Sequence, residues 1–502
     1  MKQWLTALED RADSDWEITK EHNPAMARTI GRKRTMAQQE KKTATTGRRK
    51  RKKSGMCLED RPVLSPRAAG VDIGAREIWV AVPPESDPDP VRVFATFTED
   101  LEQLVAWLLS LGITTVAMES TGVYWIPLYE VLEARKIKPC LVNARHMKNV
   151  PGRRTDWHDC QWIQYLHSVG LLRSAFRPED QVCAARAIMR HRAELVQMSA
   201  EHILHMQKAL TQMNVQLHHV INDITGTTGL AIVDALLNGE RDPGKLARLR
   251  HFRIQADEET IRKSLVGNWR QEHLFTLRQS REFYRFYQQQ IEQCDKELEH
   301  LLGEFEARVD PGENPLPPDT KKRRKRSGRN AGANPQSYDM RTELYKLFGV
   351  DVLQIPGVER MGMSLFTEVG RDLSRFPTAG HFVSWLGLCP DNDQSGGKYW
   401  RMARQVNNRA GQLFRMAAYP LHRSFTPLGN YLRRMKAKLG PAGATMATAR
   451  KIAVIFYTMV TRQVEYDESA WAQQDEQRQK RYEAKLKRQA QKLGYQLVPL
   501  AS

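Results

Sequence analysis

The sequence predicts a chain in three folded parts: an α/β domain built on a mixed sheet, a helical middle, and a mostly α third domain. Three observations carry this. Over residues 67–177 short β-branched runs alternate with stretches of helical periodicity. Over 178–309 apolar residues recur at heptad spacing. Over 341–465 short amphipathic patterns are separated by Pro and Gly turns. A length of 502 residues suits this division, at ~100–200 residues per domain.

Residues 1–66 lack sustained apolar periodicity and contain the basic run Arg48–Lys53, so a basic, disordered extension is expected. In 67–177, Gly70–Ile73, Ile78–Val82 and Val91–Phe97 read as strands, Glu99–Leu111 as a helix and Ile113–Met118 as a strand. Tyr124–Arg135 then reads as a helix and Lys138–Val142 as a strand. Three consecutive strands, followed by strands separated by helices, imply a mixed sheet with helices covering it. In the middle region Val196, Ile203, Leu210 and Leu217 recur every seven residues, with Met206 and Met213 between them. Tyr284, Ile291, Leu298 and Phe305 form a second series, with Tyr287, Cys294 and Leu301 between. Both have the spacing of a coiled-coil seam, which fits an intrachain hairpin and an intermolecular pair equally. Residues 310–340 form a Pro/Gly-rich linker around a second basic run, Lys321–Arg326. The third domain opens with LQIPGVERMGMSLFTEVG, a helix-hairpin-helix-like pattern around a Pro-Gly turn. Residues 466–502 read as a charged helical tail.

Lys and Arg number 77 against 58 Asp and Glu, a formal net charge of +19. That balance points to a polyanion as partner, nucleic acid ahead of membrane. Six Cys without a C-x-x-C pair argue against a disulfide scaffold or a zinc ribbon. The stretch Gln103–Met118 is short for a membrane span, and the start MKQWLTALEDRADSDWE is charged throughout. A cytoplasmic, nucleoid-associated protein with no membrane partner is the expectation.

Four acids stand out. Asp72 ends the first strand in AAGVDIGA, and Glu119 ends a later strand in VAMESTG. Asp156 and Asp159 open a helix in RRTDWHDCQWIQYL, three residues apart and so on one helical face. Carboxylates on apolar strands are costly unless a cation or partner meets them. A cluster of oxygen donors of this kind suits a hard divalent ion, Mg²⁺ or Mn²⁺, acting on a phosphodiester. Each acid also has an ordinary reading: Asp159 as a favourable charge at a helix N-terminus, Asp72 as a strand-end turn residue, Glu119 as part of a helix start. Arg145, Lys148, Arg153 and Arg154 precede the helical pair and are placed to deliver phosphate to it.

The order Asp, Glu, Asp-x-x-Asp in a strand-rich N-terminal domain resembles the DEDD-type insertion-sequence transposases, the bridge-RNA-guided recombinases with an RuvC-like (RNase H-like) domain. The flanking words GVDIG, ESTG-x-Y and VNARHMKNVPGRRTDWHD agree, as do IPGVERMGMSLFTEVGRDLSRFPTAGHFVSWLGLCP, QSGGK and NNRAGQLFRMAAY in the third domain. The resemblance covers roughly 67–180 and 350–465; the basic extension and the long linker depart from it. It implies that Asp72, Glu119, Asp156 and Asp159 bind metal and that Ser395 is a nucleophile in a C-terminal transposase domain. It also implies a composite site shared between protomers of a homo-oligomer, a dimer or tetramer, and a noncoding guide RNA acting on element ends and target DNA.

Ser395 precedes two glycines, which permit close backbone approach to a ligand, and Lys398, Arg401, Arg404 and Arg409 follow it. Cations there suit a scissile phosphate. A Ser-Gly turn is also commonplace. Three other readings of the chain stay open: a Mg-dependent junction-resolving nuclease whose third domain only binds, a noncatalytic nucleic-acid scaffold, and an actin-like ATPase, which lacks a convincing second phosphate loop here.

Overall fold

The computed structural model describes residues 61–120, 122–143, 156–318, 335–395, 398–402 and 408–495. The basic runs at 48–53 and 321–326 lie outside them. The chain divides into two compact units, with the boundary between Ser174 and Ala175.

The first unit is a five-stranded mixed sheet in the order β3-β2-β1-β4-β5. Its strands are β1 (Ala68–Ile73), β2 (Glu77–Ala81), β3 (Val91–Ala95), β4 (Thr115–Glu119) and β5 (Lys138–Val142). The first three pair antiparallel, while β1–β4 and β4–β5 are parallel. The central strands read AAGVDI and TVAME and are buried along nearly their whole length. A near-continuous apolar run marks a strand covered on both faces, as expected beside parallel neighbours. Helix α1 (Thr98–Ser110) buries Leu101, Leu104, Val105 and Leu108, the i, i+3, i+4, i+7 stripe of an amphipathic helix. Helix α2 (Trp125–Ala134) buries Leu128 and Leu132, and α3 (Asp156–Ser168) lies on β1. This mixed sheet with covering helices fits an RNase H-like α/β domain.

The second unit is mostly helical. Helices α4 (Asp180–Gln212) and α5 (Thr227–Leu237) are followed by α6 (Gln271–Gly303). The 33-residue helices α4 and α6 run antiparallel within one chain. Arg192 meets Asp295, and one stretch further on Gln288 Nε2 donates to Ser199 Oγ. At one end Val182, Ala185, Leu298, Leu302 and Phe305 enter the larger core. At the other Met206, Leu210 and Met213 pack with Ile232, Val233, Leu236 and Ile261. On α6 Ile291 and Leu298 are buried, and Phe305 is buried just past the end of the helix. On α4 the buried positions shift to Arg192, Leu195 and Ser199, leaving Val196 half-buried. A strict seven-residue repeat drifts by about 20° per heptad on a straight helix, so two heptads back from Leu210 the seam lies on neighbouring residues.

The larger core is built by α7 (Met340–Phe348), α8 (Gly362–Val369), α9 (Ala379–Trp385), α10 (Arg409–Ala418) and α11 (Pro427–Arg462). Phe348, Phe366, Phe382, Phe414 and Phe456 are fully buried in it, with edge-on pairs such as Phe348–Phe456 at 5.4 Å. Before α8 the LQIPG stretch forms a three-residue 3-10 turn, Val352–Gln354, and Gly357 takes φ 92° where a Cβ would overlap Ala417 O. Only glycine fits both constraints. Helix α11 is broken at Gly440, at φ 74° and ψ 177°. Lys451 Nζ lies 5.6 Å from the Tyr431 ring centroid. Twenty residues of straight helix would separate them by about 30 Å, so α11 doubles back at Gly440 into two arms. Strands β6 (Asp391–Ser395) and β7 (Lys398–Met402) form an antiparallel ribbon, and α12 (Ser469–Lys492) ends the described chain. Among the described residues no helix is long and apolar enough to cross a membrane.

Candidate active site

In the first unit Asp72 and Glu119 stand on neighbouring strands, and Asp159 lies on the helix packed over β1. Strands β1 and β4 run parallel with Val71 opposite Met118, so Asp72 and Glu119 are the next residues along neighbouring strands. Residues in register in a parallel pair share a face, and both acids stand at the carboxyl ends of their strands. Open α/β sheets use that edge for ligands.

Helix α3 supplies the third acid. It sits so close to β1 that a Cβ on Gly70 would overlap the backbone of Gln164 and Cys160. Gln164 Nε2 donates to Ala68 O at 3.2 Å. At the far end Thr115 Oγ1 donates to Lys138 O and lies 2.9 Å from His167 Nε2, so the imidazole is the donor in that second bond. Burial, and then the charge of Lys138, push the His167 pKa down, which keeps the ring neutral. So clamped, α3 holds Asp159 buried against the sheet. Glu119 is buried as well. Cys160 reports on the neighbourhood. Burial pushes its thiol up to about 12, and the carboxylates of Asp72 and Asp159 both add to that rise. The thiol stays protonated and takes no nucleophilic role.

Asp156 is the first residue of α3, one turn before Asp159. Arg145, Lys148, Arg153, Arg154 and Arg404 lie outside the described residues. In the second unit Ser395 ends β6 opposite Lys398, the first residue of β7, and Arg401 stands opposite Asn392. Arg409 is exposed and opens α10 just after Asn408, whose side chain caps the helix by accepting from Gly411 N. Among the described residues no group of three or more His, Cys, Asp or Glu is placed to hold a metal ion.

Sequence reasoning passed over Gly70 and Cys160. The signal was the run of small residues, Ala68-Ala69-Gly70, ahead of Asp72: small side chains two and three positions before a strand-end acid let a helix approach the backbone. Gly70→Ala should therefore push α3 off β1. We expect a lower melting temperature together with a loss of DNA cleavage larger than the loss of DNA binding. Thermal unfolding and cleavage measured on the same preparation check it; full activity with an unchanged melting temperature refutes the close seating of α3.

Residues 69–215 match a DEDD transposase model of the IS110 group, described as "Transposase". Residues 351–431 match the "Transposase IS116/IS110/IS902 family". The chain carries the domains of an IS110-type transposase. The first match spans Asp72, Glu119, Asp156 and Asp159, and the second spans Ser395 with the four cations after it. The transposase is therefore a DNA-cutting and rejoining enzyme. No curated protein matches the sequence.

Proposed function

We propose that this transposase moves its element by a serine-based strand exchange served by the acidic site of the first unit. The observation that supports the reading is that Asp72 and Glu119 stand at the carboxyl ends of two parallel strands while Asp159 is buried on α3, the helix packed over β1. An all-carboxylate donor set fits Mg²⁺ or Mn²⁺, with Asp156 completing it from the first turn of the same helix. Such an ion supplies Lewis-acid polarisation of a phosphate oxygen when bound.

The chain's own residues do the rest. Ser395 Oγ attacks the scissile phosphorus. A phosphoserine ester forms as the bond from phosphorus to the leaving deoxyribose oxygen breaks, and the serine proton leaves to solvent or a neighbouring base. Attack by a deoxyribose hydroxyl on that ester reverses the bookkeeping and seals a strand without ATP. Lys398, Arg401, Arg404 and Arg409 hold the phosphate and offset its growing negative charge. Arg145, Lys148, Arg153 and Arg154 guide the backbone to the acids. A homo-oligomer, dimer or tetramer, and a noncoding guide RNA complete the assembly. The resemblance of the motif words supports both partners, and the chain's charge of +19 suits an RNA as well as DNA.

Ser395→Ala tests this reading. Strand exchange between element ends and target should fall by at least about a thousandfold, the scale on which a lone nucleophile is missed. A covalent protein–DNA adduct, visible on a denaturing gel with the wild-type chain, should be absent. Exchange at near wild-type rate by the alanine variant would exclude the serine and leave a nuclease reading, in which the second unit only binds.

A further inference from the structure

Between Asp393 and Glu465 the sequence has no Asp or Glu and thirteen Lys and Arg, so nothing in that stretch offsets its charge. Much of it forms the doubled-back helix α11 and the turn that leads into it. Arg423, Lys436 and Lys438 are exposed there. Lys436 and Lys438 lie beyond the stretch that the transposase model matches.

One side chain in this field is out of place for a folded domain. Phe425 is 95% exposed. It precedes Thr426, whose hydroxyl caps α11 by accepting from Gly429 N at 3.3 Å. An apolar residue at that position usually packs on the fourth residue of the helix, closing a hydrophobic staple. Here that residue is Asn430, which offers no apolar surface, so the ring stands in solvent. Its backbone is nonetheless held. Arg433 Nη1 donates to His422 O at 3.1 Å and to Ser424 O at 2.6 Å, tying the turn to the first arm. Ser424 Oγ accepts from Thr426 N at 3.2 Å. Lys436 lies three residues beyond Arg433, on the same helical face. An exposed aromatic ring on a held stretch of backbone therefore stands two residues from Arg423, and Lys436 is one turn along α11 from the Arg433 that ties the turn down.

We infer that the Arg423–Phe425 turn and the first arm of α11 seat single-stranded DNA. One base stacks on Phe425, and Arg423, Lys436 and Lys438 meet the flanking phosphates. A ring can reach the face of a base only where the base is unpaired; a duplex would use the cations and leave the ring idle. An enzyme that cuts and rejoins DNA exposes such unpaired segments during exchange. The inference rests on the DNA substrate alone and not on Ser395 or the acids.

The test is fluorescence anisotropy of the full chain with a labelled oligo-dT strand, in EDTA so that no cleavage intervenes, beside a duplex and an RNA strand of equal length. Phe425→Ala should weaken single-strand binding by roughly tenfold, within the range for loss of one stacked base, and Phe425→Trp should restore it. Duplex affinity should not change. The double variant Arg423→Ala with Lys436→Ala should lower the salt slope of single-strand binding by about 1.4, from about 0.7 per phosphate contact. Unchanged binding by Phe425→Ala, an equal loss on duplex, or a Phe425-dependent preference for the RNA strand each overturns the inference. Because Ser395→Ala should bind the strand as the wild type does, failure of the serine chemistry and failure of this seat are told apart.

Discussion

Glu119→Gln should cut DNA at least about a hundredfold more slowly than the parent chain and bind it about as well. The substitution keeps the shape of the side chain and removes its charge. Glu119 is buried at the end of β4. Replacing it with an amide of the same shape leaves the packing of Val116, Ala117 and Met118 untouched, so the melting temperature without added metal should change little. If the site works as proposed, the loss falls on cleavage, because several kcal/mol of transition-state charge stabilisation depend on the cation those oxygens hold, and 1.36 kcal/mol is tenfold in rate. Asp72→Asn should behave alike, and the concentration of Mg²⁺ needed for half-maximal cleavage should rise in both. A simple packing defect predicts another pattern: a lower melting temperature, with cleavage and binding lost together. Undiminished cleavage by both variants removes the acids from the reaction.

The sheet was open to sequence reasoning because its strands obey local rules. Val91–Ala95 and Thr115–Glu119 are β-branched or apolar runs bounded by turns, and α1 shows its buried stripe in bare spacing. The acids were visible for a related reason: a carboxylate ending an apolar strand breaks the pattern around it. What stayed hidden depends on contacts between distant residues. The role of Gly70 shows only when Cys160 and Gln164, some ninety residues on, arrive above it. The fold-back of α11 was signalled by Gly440-Pro441, a dipeptide that punctuates chains, yet helical periodicity on both sides masks it. Two centre residues of the α4 seam, Arg192 and Ser199, are polar, so a search for apolar heptads steps past them.

That polar centre carries the largest stability effect expected of a single substitution in the second unit. Arg192 Nε and Nη2 donate to the two carboxylate oxygens of Asp295 at 2.6 and 3.0 Å, and Nη2 also reaches Pro335 O at 3.3 Å. Both side chains are almost wholly buried, at 6% and 2% exposure. The pair is bidentate, which suits the planar guanidinium. Desolvating two charges consumes most of what their attraction returns, so the intact pair adds little net stability, while a broken pair is severe. Asp295→Ala should cost about 3–5 kcal/mol, the scale for stranding one buried charge, read as a fall in the urea midpoint of the second unit. Arg192→Met should cost less than Asp295→Ala, since the methionine side chain fills much of the volume that the arginine stem held. The double variant Arg192→Met with Asp295→Leu should recover most of the loss, because two apolar side chains of similar bulk fill the seam without a charge to desolvate. If both singles and the double lie within about 0.5 kcal/mol of the parent, the range of ordinary surface changes, the pair does not clamp α4 to α6. If the double is as unstable as Asp295→Ala, the guanidinium's bond to Pro335 O, rather than the pairing of charges, holds the hairpin to the chain that follows it.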